Sequence, residues 1–219
     1  MLNLSKPILY LITRGATDET TTTESAEFHQ LLRQFSAAIT AGIQLIQIRE
    51  KRLTSRVLFE LTSRAVSIAQ GTTTRVLVND RADIAAGAGA DGVHLTTQSL
   101  EAAVVRQAFG ERLLIGSSTH SVEEARRARD AGADFIVFGP VFESLAKKKY
   151  GPPVGLQALS DVARKLAPFS VIALGGVSIT NAAECLFAGA SGIAGISLFS
   201  KPEALANVAS VVRESGYSS

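Results

Sequence analysis

Six clusters of polar residues follow short apolar runs in this chain, and their types suit the handling of small anions. Arg49, Glu50 and Lys51 close "QLIQIREK" at 44 to 51, and Asn79-Asp80 closes "RVLVND" at 75 to 80. Ser117-Ser118-Thr119-His120, the stretch Phe142 to Lys147, Gly175-Gly176 and Ile196-Ser197 end four further runs. Guanidinium and ammonium groups bind phosphates through charge-assisted hydrogen bonds, so Arg49, Lys51 and Lys147 form one expected cationic region. Asp80 is a hard oxygen ligand suited to Mg2+ bridging a diphosphate. Glycine lets backbone N–H groups approach an anion, which makes Gly175-Gly176 with Gly195-Ile196-Ser197 a second expected phosphate site. Plainer roles compete: a lone Asn-Asp or Ser-Thr caps helices or lines loops, and His120 before "SVEEA" can help Ser121 and Glu124 cap a helix. Lys148 and Lys149 read as a solvated loop, His94 as a packed residue inside a strand, His29 as an exposed helix residue and Cys185 as core. No histidine and cysteine pair has zinc-site spacing.

These clusters need elements to hold them. Runs rich in Ile, Val and Leu lie at 8 to 13, 44 to 49, 75 to 80, 92 to 95, 113 to 118, 135 to 141, 170 to 176 and 192 to 197. Between them, helical spacing of apolar residues covers 26 to 41, 54 to 70, 99 to 109, 121 to 131, 155 to 167 and 178 to 189, with "AG" recurring before several strands. Continuous apolar strands separated by helices imply a parallel sheet covered on both faces, and eight such units close into a (β/α)8 TIM barrel. An open doubly wound sheet is the alternative, but it rarely needs eight regular units. With 219 residues and 46% hydrophobic content, one domain over 1–219 is expected. Active sites of this fold lie at the C-terminal strand ends, where all six polar clusters fall. The segment "RGATDETTTTES" at 14 to 25 has the Thr, Gly and Asp content of a mobile loop, and the sequence leaves open whether it folds over the site.

Lys+Arg of 22 against Asp+Glu of 20 gives a formal charge of +2, which does not indicate an electrostatic grip on nucleic acid. No apolar stretch reaches the roughly 18 residues of a membrane span. The single cysteine cannot form an internal disulfide, and no charged-then-apolar leader opens the chain, so a cytoplasmic protein acting on small molecules is expected. Homo-oligomerisation is left open.

In their order, "LYLIT" at 9 to 13, "QIREK" at 47 to 51, "LVNDRADIA" at 77 to 85, "GADGVHL" at 89 to 95, "IGSSTHSVEEA" at 115 to 125, "GADFIVFGPVFES" at 132 to 144, "YGPPVGL" at 150 to 156 and "IALGGVS" at 172 to 178 resemble the thiamine phosphate synthase family and its relatives, the thiazole tautomerases. The resemblance implies a transferase that joins hydroxymethylpyrimidine diphosphate to thiazole phosphate and releases diphosphate, with charge on the leaving group stabilised by the site. Carried over by position, it implies that Gln47, Arg49, Lys51 and Asn79 hold the pyrimidine diphosphate, with Asp80 on Mg2+. Ser118 and Lys147 would reach the same diphosphate. Gly176, Ile196, Ser197 and Ser144 would meet the thiazole phosphate, and Glu50 would orient its cationic neighbours or pack on the barrel wall. Two departures stand out: Thr96-Thr97-Gln98-Ser99 lacks the family's second metal carboxylate, which Glu101 could replace only if the loop is displaced, and Ala146 lacks a hydroxyl in Ser144-Leu145-Ala146-Lys147. Both fit a thiazole tautomerase, in which His120 would shuttle the proton. A barrel that binds a phosphorylated ligand for regulation, without catalysis, is a third expectation.

Overall fold

The computed structural model of the chain describes residues 4–143 and 152–217. In chain order the elements are β1 (Ile8–Ile12), α1 (Ala26–Thr40), β2 (Leu45–Ile48), α2 (Ser55–Ala69), β3 (Arg75–Asn79), α3 (Ala82–Gly87), β4 (Gly92–Leu95), α4 (Ala102–Phe109), β5 (Leu114–Thr119), α5 (Val122–Asp130), β6 (Phe135–Phe138), α6 (Gly155–Leu166), β7 (Ser170–Ala173), α7 (Ala182–Phe187), β8 (Gly192–Gly195) and α8 (Leu205–Tyr217). Consecutive strands pair in parallel and β8 pairs with β1, which closes the barrel. No helix among the described residues is long and apolar enough to cross a membrane.

The strand period of two sorts side chains into two cores. Ile8, Tyr10 and Ile12 of β1, Leu45, Leu77, Phe135, Val137, Ile172 and Ala194 fill the barrel interior. The residues between them, such as Leu9, Leu11, Ile46, Val76, Val78 and Ile136, face the helices and pack on Phe28, Phe35, Leu61, Leu159 and Val212. Full burial of one such side chain contributes about 1.5–3 kcal/mol relative to exposure, which explains the near-continuous apolar strands.

The recurring "AG" motif has a structural counterpart at the N-terminal rim. Gly42, Gly89, Gly132 and Gly189 take φ of 71, 73, 93 and 95°, the left-handed turn that releases the chain from α1, α3, α5 and α7. Two residues after three of these glycines come Gln44, Asp91 and Asp134, each directly before an even-numbered strand. Each side chain accepts the N–H of the second residue of the preceding strand: Gln44 from Leu9 at 3.0 Å, Asp91 from Val76 at 2.8 Å, Asp134 from Ile115 at 2.8 Å.

Several expected boundaries shift at the opposite rim. The runs expected as strands through 141, 176 and 197 leave the ladder at Phe138, Ala173 and Gly195, because their last residues turn into loops. Gly175 and Gly176, with φ of 98 and 66°, cannot extend β7. Helices expected from 99 and 178 start at Ala102 and Ala182; in the second case Asn181 first accepts the Ser178 N–H at 2.7 Å and forms a turn. α3 and α8 add to the six helices read from periodicity.

The loop at 14 to 25, whose composition suggests mobility, is tied to the barrel at Glu50. Thr17 and Thr21 are buried, and the buried Glu50 carboxylate accepts from Gly15 N (3.0 Å), Thr17 N (3.1 Å) and Thr17 Oγ1 (2.7 Å). A carboxylate that accepts three hydrogen bonds is a firm anchor, since releasing the loop would leave a buried charge without donors. Glu50 therefore fixes this loop rather than orienting Arg49 and Lys51.

Candidate active site

The alternation that fills the interior also aims polar residues at its C-terminal mouth. Gln47 follows Leu45 by two positions and Asn79 follows Leu77 by two, so both point inward. Gln47 Nε2 donates to Asn79 Oδ1 at 2.8 Å, and Asn79 Nδ2 donates to the carboxylate of Asp80. Asp80 has φ of 62°, a left-handed conformation that aspartate tolerates better than most residues. Its other oxygen accepts from Ser99 Oγ, and Lys51 Nζ lies 3.7 Å from the carboxylate. Ser99 is itself held by the Thr96 N–H and hydroxyl, while Glu101 is the exposed N-cap of α4. Gln47 Oε1 is buried with no hydrogen-bond partner among the described residues.

Arg49 follows Gln47 by two residues on the same side. Its backbone N–H donates to the buried Thr13 Oγ1 at 2.8 Å, which fixes the point where β2 ends. The half-buried guanidinium has no hydrogen bond or ion pair within the described residues, and it lies beside Gly15 of the anchored loop. A desolvated cation without an internal partner is the arrangement that an anionic ligand completes.

Ser118, half-buried on β5, is hydrogen-bonded at 2.9 Å to Nε2 of His94, whose Nδ1 lies 3.2 Å from the Tyr10 hydroxyl. Gly116 makes room for this contact, since a Cβ there would lie 2.8 Å from His94 Nδ1 and 2.4 Å from Phe135 Cζ. Burial pushes the His94 imidazole down from 6.5 to about 4; Arg49 adds to the shift, and Asp80 opposes it. Burial likewise raises the Tyr10 phenol well above its ordinary value. Both groups are neutral near pH 7. Residue type marks His94 as a packed strand residue, which it is, and leaves Tyr10 unremarked, although Tyr10, His94 and Ser118 share the inward parity of Gln47 and Asn79.

His120 has a different setting. Ser121 Oγ accepts the Glu124 N–H at 3.1 Å, and Glu124 Oε2 reaches back to the His120 N–H at 2.7 Å and Nδ1 at 3.1 Å. This is a capping arrangement at α5, with the imidazole exposed.

On the far side of the mouth, Gly176 packs under the β6 loop so closely that a Cβ would lie 2.5 Å from Glu143 O and 2.7 Å from Phe142 Cβ. Its carbonyl accepts from Asn181 Nδ2 at 3.1 Å. Half-buried Ile196 packs on the interior cluster, and exposed Ser197 follows it out of β8. Ser144 and Lys147 lie outside the described residues. Within them, Gln47, Asn79, Asp80, Lys51 and Ser99 form one connected group, whereas His120 belongs to a helix cap.

The family model described as thiamine monophosphate synthase matches residues 9–199. The chain belongs to this family. It is 44% identical over 158 residues to a thiamine-phosphate synthase of Anaeromyxobacter dehalogenans, covering 72% of this chain and 70% of that one. With a thiamine-phosphate synthase of Chlorobium phaeovibrioides it shares 39% identity over 178 residues, 81% of this chain and 85% of the relative. A solved thiamine phosphate pyrophosphorylase from Pyrococcus furiosus superposes with a TM-score of 0.80 at 28% identity, over 95% of this chain and 96% of that one. Family membership makes the chain an enzyme of thiamine biosynthesis, a transferase of the thiamine-phosphate diphosphorylase type with a TIM-barrel fold.

Proposed function

We propose that the C-terminal mouth of the barrel carries the family's reaction, joining hydroxymethylpyrimidine diphosphate to thiazole phosphate with release of diphosphate. The observation that supports this reading most is the linked row Gln47–Asn79–Asp80–Lys51 beside an Arg49 guanidinium that has no partner among the described residues. Arg49 and Lys51 hold the leaving diphosphate and stabilise its growing charge, with Ser118 and Lys147 as further donors. Gln47 and Asn79 orient the pyrimidine, and Gln47 Oε1, which has no partner among the described residues, is an acceptor for a substrate N–H. Gly176, Ile196 and Ser197 meet the thiazole phosphate across the mouth, a role that the family resemblance also gives to Ser144.

Mg2+ is the cofactor proposed, and the donor set at Asp80 fits it. One carboxylate with the Ser99 and Thr96 hydroxyls supplies hard oxygens, and Mg2+ is commonly held by one or two carboxylates together with substrate phosphates and water. Among the described residues no group of three or more His, Cys, Asp or Glu forms a cage, so the diphosphate itself would complete the coordination. When bound there, the ion would neutralise charge on the diphosphate oxygens. Asp80 would hold it in place, and Asn79 and Ser99 would orient the Asp80 carboxylate.

Isomerisation of the thiazole carboxylate phosphate would need His120 as proton carrier, a role that competes with its bonds to Glu124. A purely regulatory barrel would use the lysine and arginine for a phosphorylated ligand but gives no reason for a metal-binding carboxylate beside them. Placement in the cytoplasm is proposed with the synthase reading. The test is complementation: the gene should restore growth without thiamine to a strain lacking its thiamine phosphate synthase. Rescue only of a tautomerase deletion would reverse the assignment.

A further inference from the structure

Below the mouth, two polar side chains cross an otherwise apolar barrel interior. Tyr10 from β1 and His94 from β4 stand edge to face, with ring centroids 5.8 Å apart and planes at 60°, and both contact Phe135. Both are buried, Tyr10 fully and His94 to 2% exposure. Tyr10 OH meets His94 Nδ1 at 3.2 Å, and His94 Nε2 meets Ser118 Oγ at 2.9 Å.

A neutral imidazole has one N–H and one bare nitrogen, so this row can run in only two directions. In the first, Tyr10 donates to bare Nδ1, Nε2–H donates to Ser118 Oγ, and the Ser118 hydrogen is turned away from His94. In the second, Nδ1–H donates to the Tyr10 oxygen, and Ser118 donates to bare Nε2. The second direction leaves the Tyr10 hydrogen without an acceptor, because His94 is the only hydrogen-bond partner of that hydroxyl among the described residues and the neighbours Ile8, Leu45 and Phe135 are apolar. A buried donor without an acceptor loses its hydration and gains nothing in return. Ser118 meets no such penalty in the first direction, since it is half-buried at the mouth, where water or a ligand can accept its hydrogen. A phenol is also a stronger donor and a weaker acceptor than an aliphatic hydroxyl.

The geometry points to Tyr10 and His94 as positioning residues that fix Ser118 as a hydrogen-bond donor toward the anion at the barrel mouth. The inference rests on the proposed contact of Ser118 with diphosphate. With the row reversed, Ser118 would present lone pairs to an anion. With it fixed, the hydroxyl presents its hydrogen before the ligand arrives, and binding requires no reorientation.

The test combines the tautomer of the parent protein with the binding of inorganic diphosphate. Long-range proton–nitrogen NMR of histidine-labelled protein, with His94 assigned by loss of its signals in His94→Gln, should show Nε2 protonated and Nδ1 bare. Calorimetric titration with diphosphate in the presence of Mg2+ should show His94→Leu and Ser118→Ala each binding about tenfold more weakly than the parent. The double variant should bind no more weakly than Ser118→Ala alone. His94→Gln retains an N–H at the ε position and should stay within about threefold of the parent. Protonated Nδ1, or losses from His94→Leu and Ser118→Ala that multiply, would overturn the inference while leaving the synthase reading intact. A parent with protonated Nε2 that binds no diphosphate would instead overturn that reading, and the donor role of Ser118 with it. The tautomer measurement needs only the parent fold, so it decides the matter even if His94→Leu does not fold.

Discussion

The two rims of the barrel use similar residue types to opposite ends. At the N-terminal rim, Arg75 and the Val76 N–H hold the Asp91 carboxylate, and Asp134 accepts from both Arg106 and the Ile115 N–H. The Arg106 guanidinium also donates to the carbonyls of Gly110, Leu113 and Gly132. These charges close on one another. At the C-terminal rim, among the described residues, the Arg49 side chain has no internal partner and buried Gln47 Oε1 has no donor, while Asp80 sits in a left-handed conformation and Lys51 reaches it only at 3.7 Å. A rim that served stability alone would have paired these groups or replaced them. Leaving them open is the expected signature of a face that binds a ligand, and in this fold that is the C-terminal face.

Substitutions should therefore separate into losses of rate at one rim and losses of stability at the other. The largest effect is expected for Asp80→Asn, which removes the anionic ligand and the charge opposite Lys51. Diphosphate release should fall about 10²–10³-fold, equivalent to roughly 3–4 kcal/mol of barrier, with unfolding little changed. Arg106→Ala should behave in the opposite way. It strands the Asp134 carboxylate and should lower unfolding free energy by about 2–3 kcal/mol in denaturant titrations, while turnover of the folded fraction stays within about twofold.

His94, between the rims, links stability to pH. Its value in the folded protein is lowered from 6.5 to about 4, so the unfolded chain takes up a proton that the folded chain excludes. The contribution is fully present above about pH 6.5 and is lost as pH falls toward 4. Between pH 7 and 5 it amounts to ~2 kcal/mol, which should disappear from the pH dependence of unfolding in His94→Gln. Arg49→Ala should cost at least about tenfold in turnover, ~1.4 kcal/mol, with normal circular dichroism and an unchanged melting temperature. The smallest effect is expected for His120→Asn: turnover within about threefold, and a loss of at most about 0.5–1 kcal/mol of stability from the α5 cap.

The barrel was legible in the sequence because a strand buried on both faces must be apolar along its length, and eight such runs separated by helical spacing permit few folds. Arg49, Asn79 and Asp80 stand out in the sequence for the same reason, as polar residues at the ends of apolar strands, whereas Gln47 enters only through the family resemblance. What could not be read depends on pairings far apart in the chain. Glu50 looks like one of three charges at a strand tip, but its function is set by Gly15 and Thr17, 35 and 33 residues away. His94 looks like packing until Tyr10, 84 residues earlier, and Ser118, 24 residues later, are placed beside it. Strand ends were overestimated where glycines and prolines carry the chain into the mouth, because residue hydrophobicity continues past the last ladder bond.

Direct measurement of diphosphate release by the purified protein, mixed with hydroxymethylpyrimidine diphosphate, thiazole phosphate and Mg2+, tests the proposed site most sharply. Diphosphate and thiamine phosphate should form in equal amounts, and Asp80→Asn should reduce that yield far more than His120→Asn. Absence of diphosphate from the parent protein, together with isomerisation of the thiazole carboxylate phosphate that His120→Asn abolishes, would contradict the account.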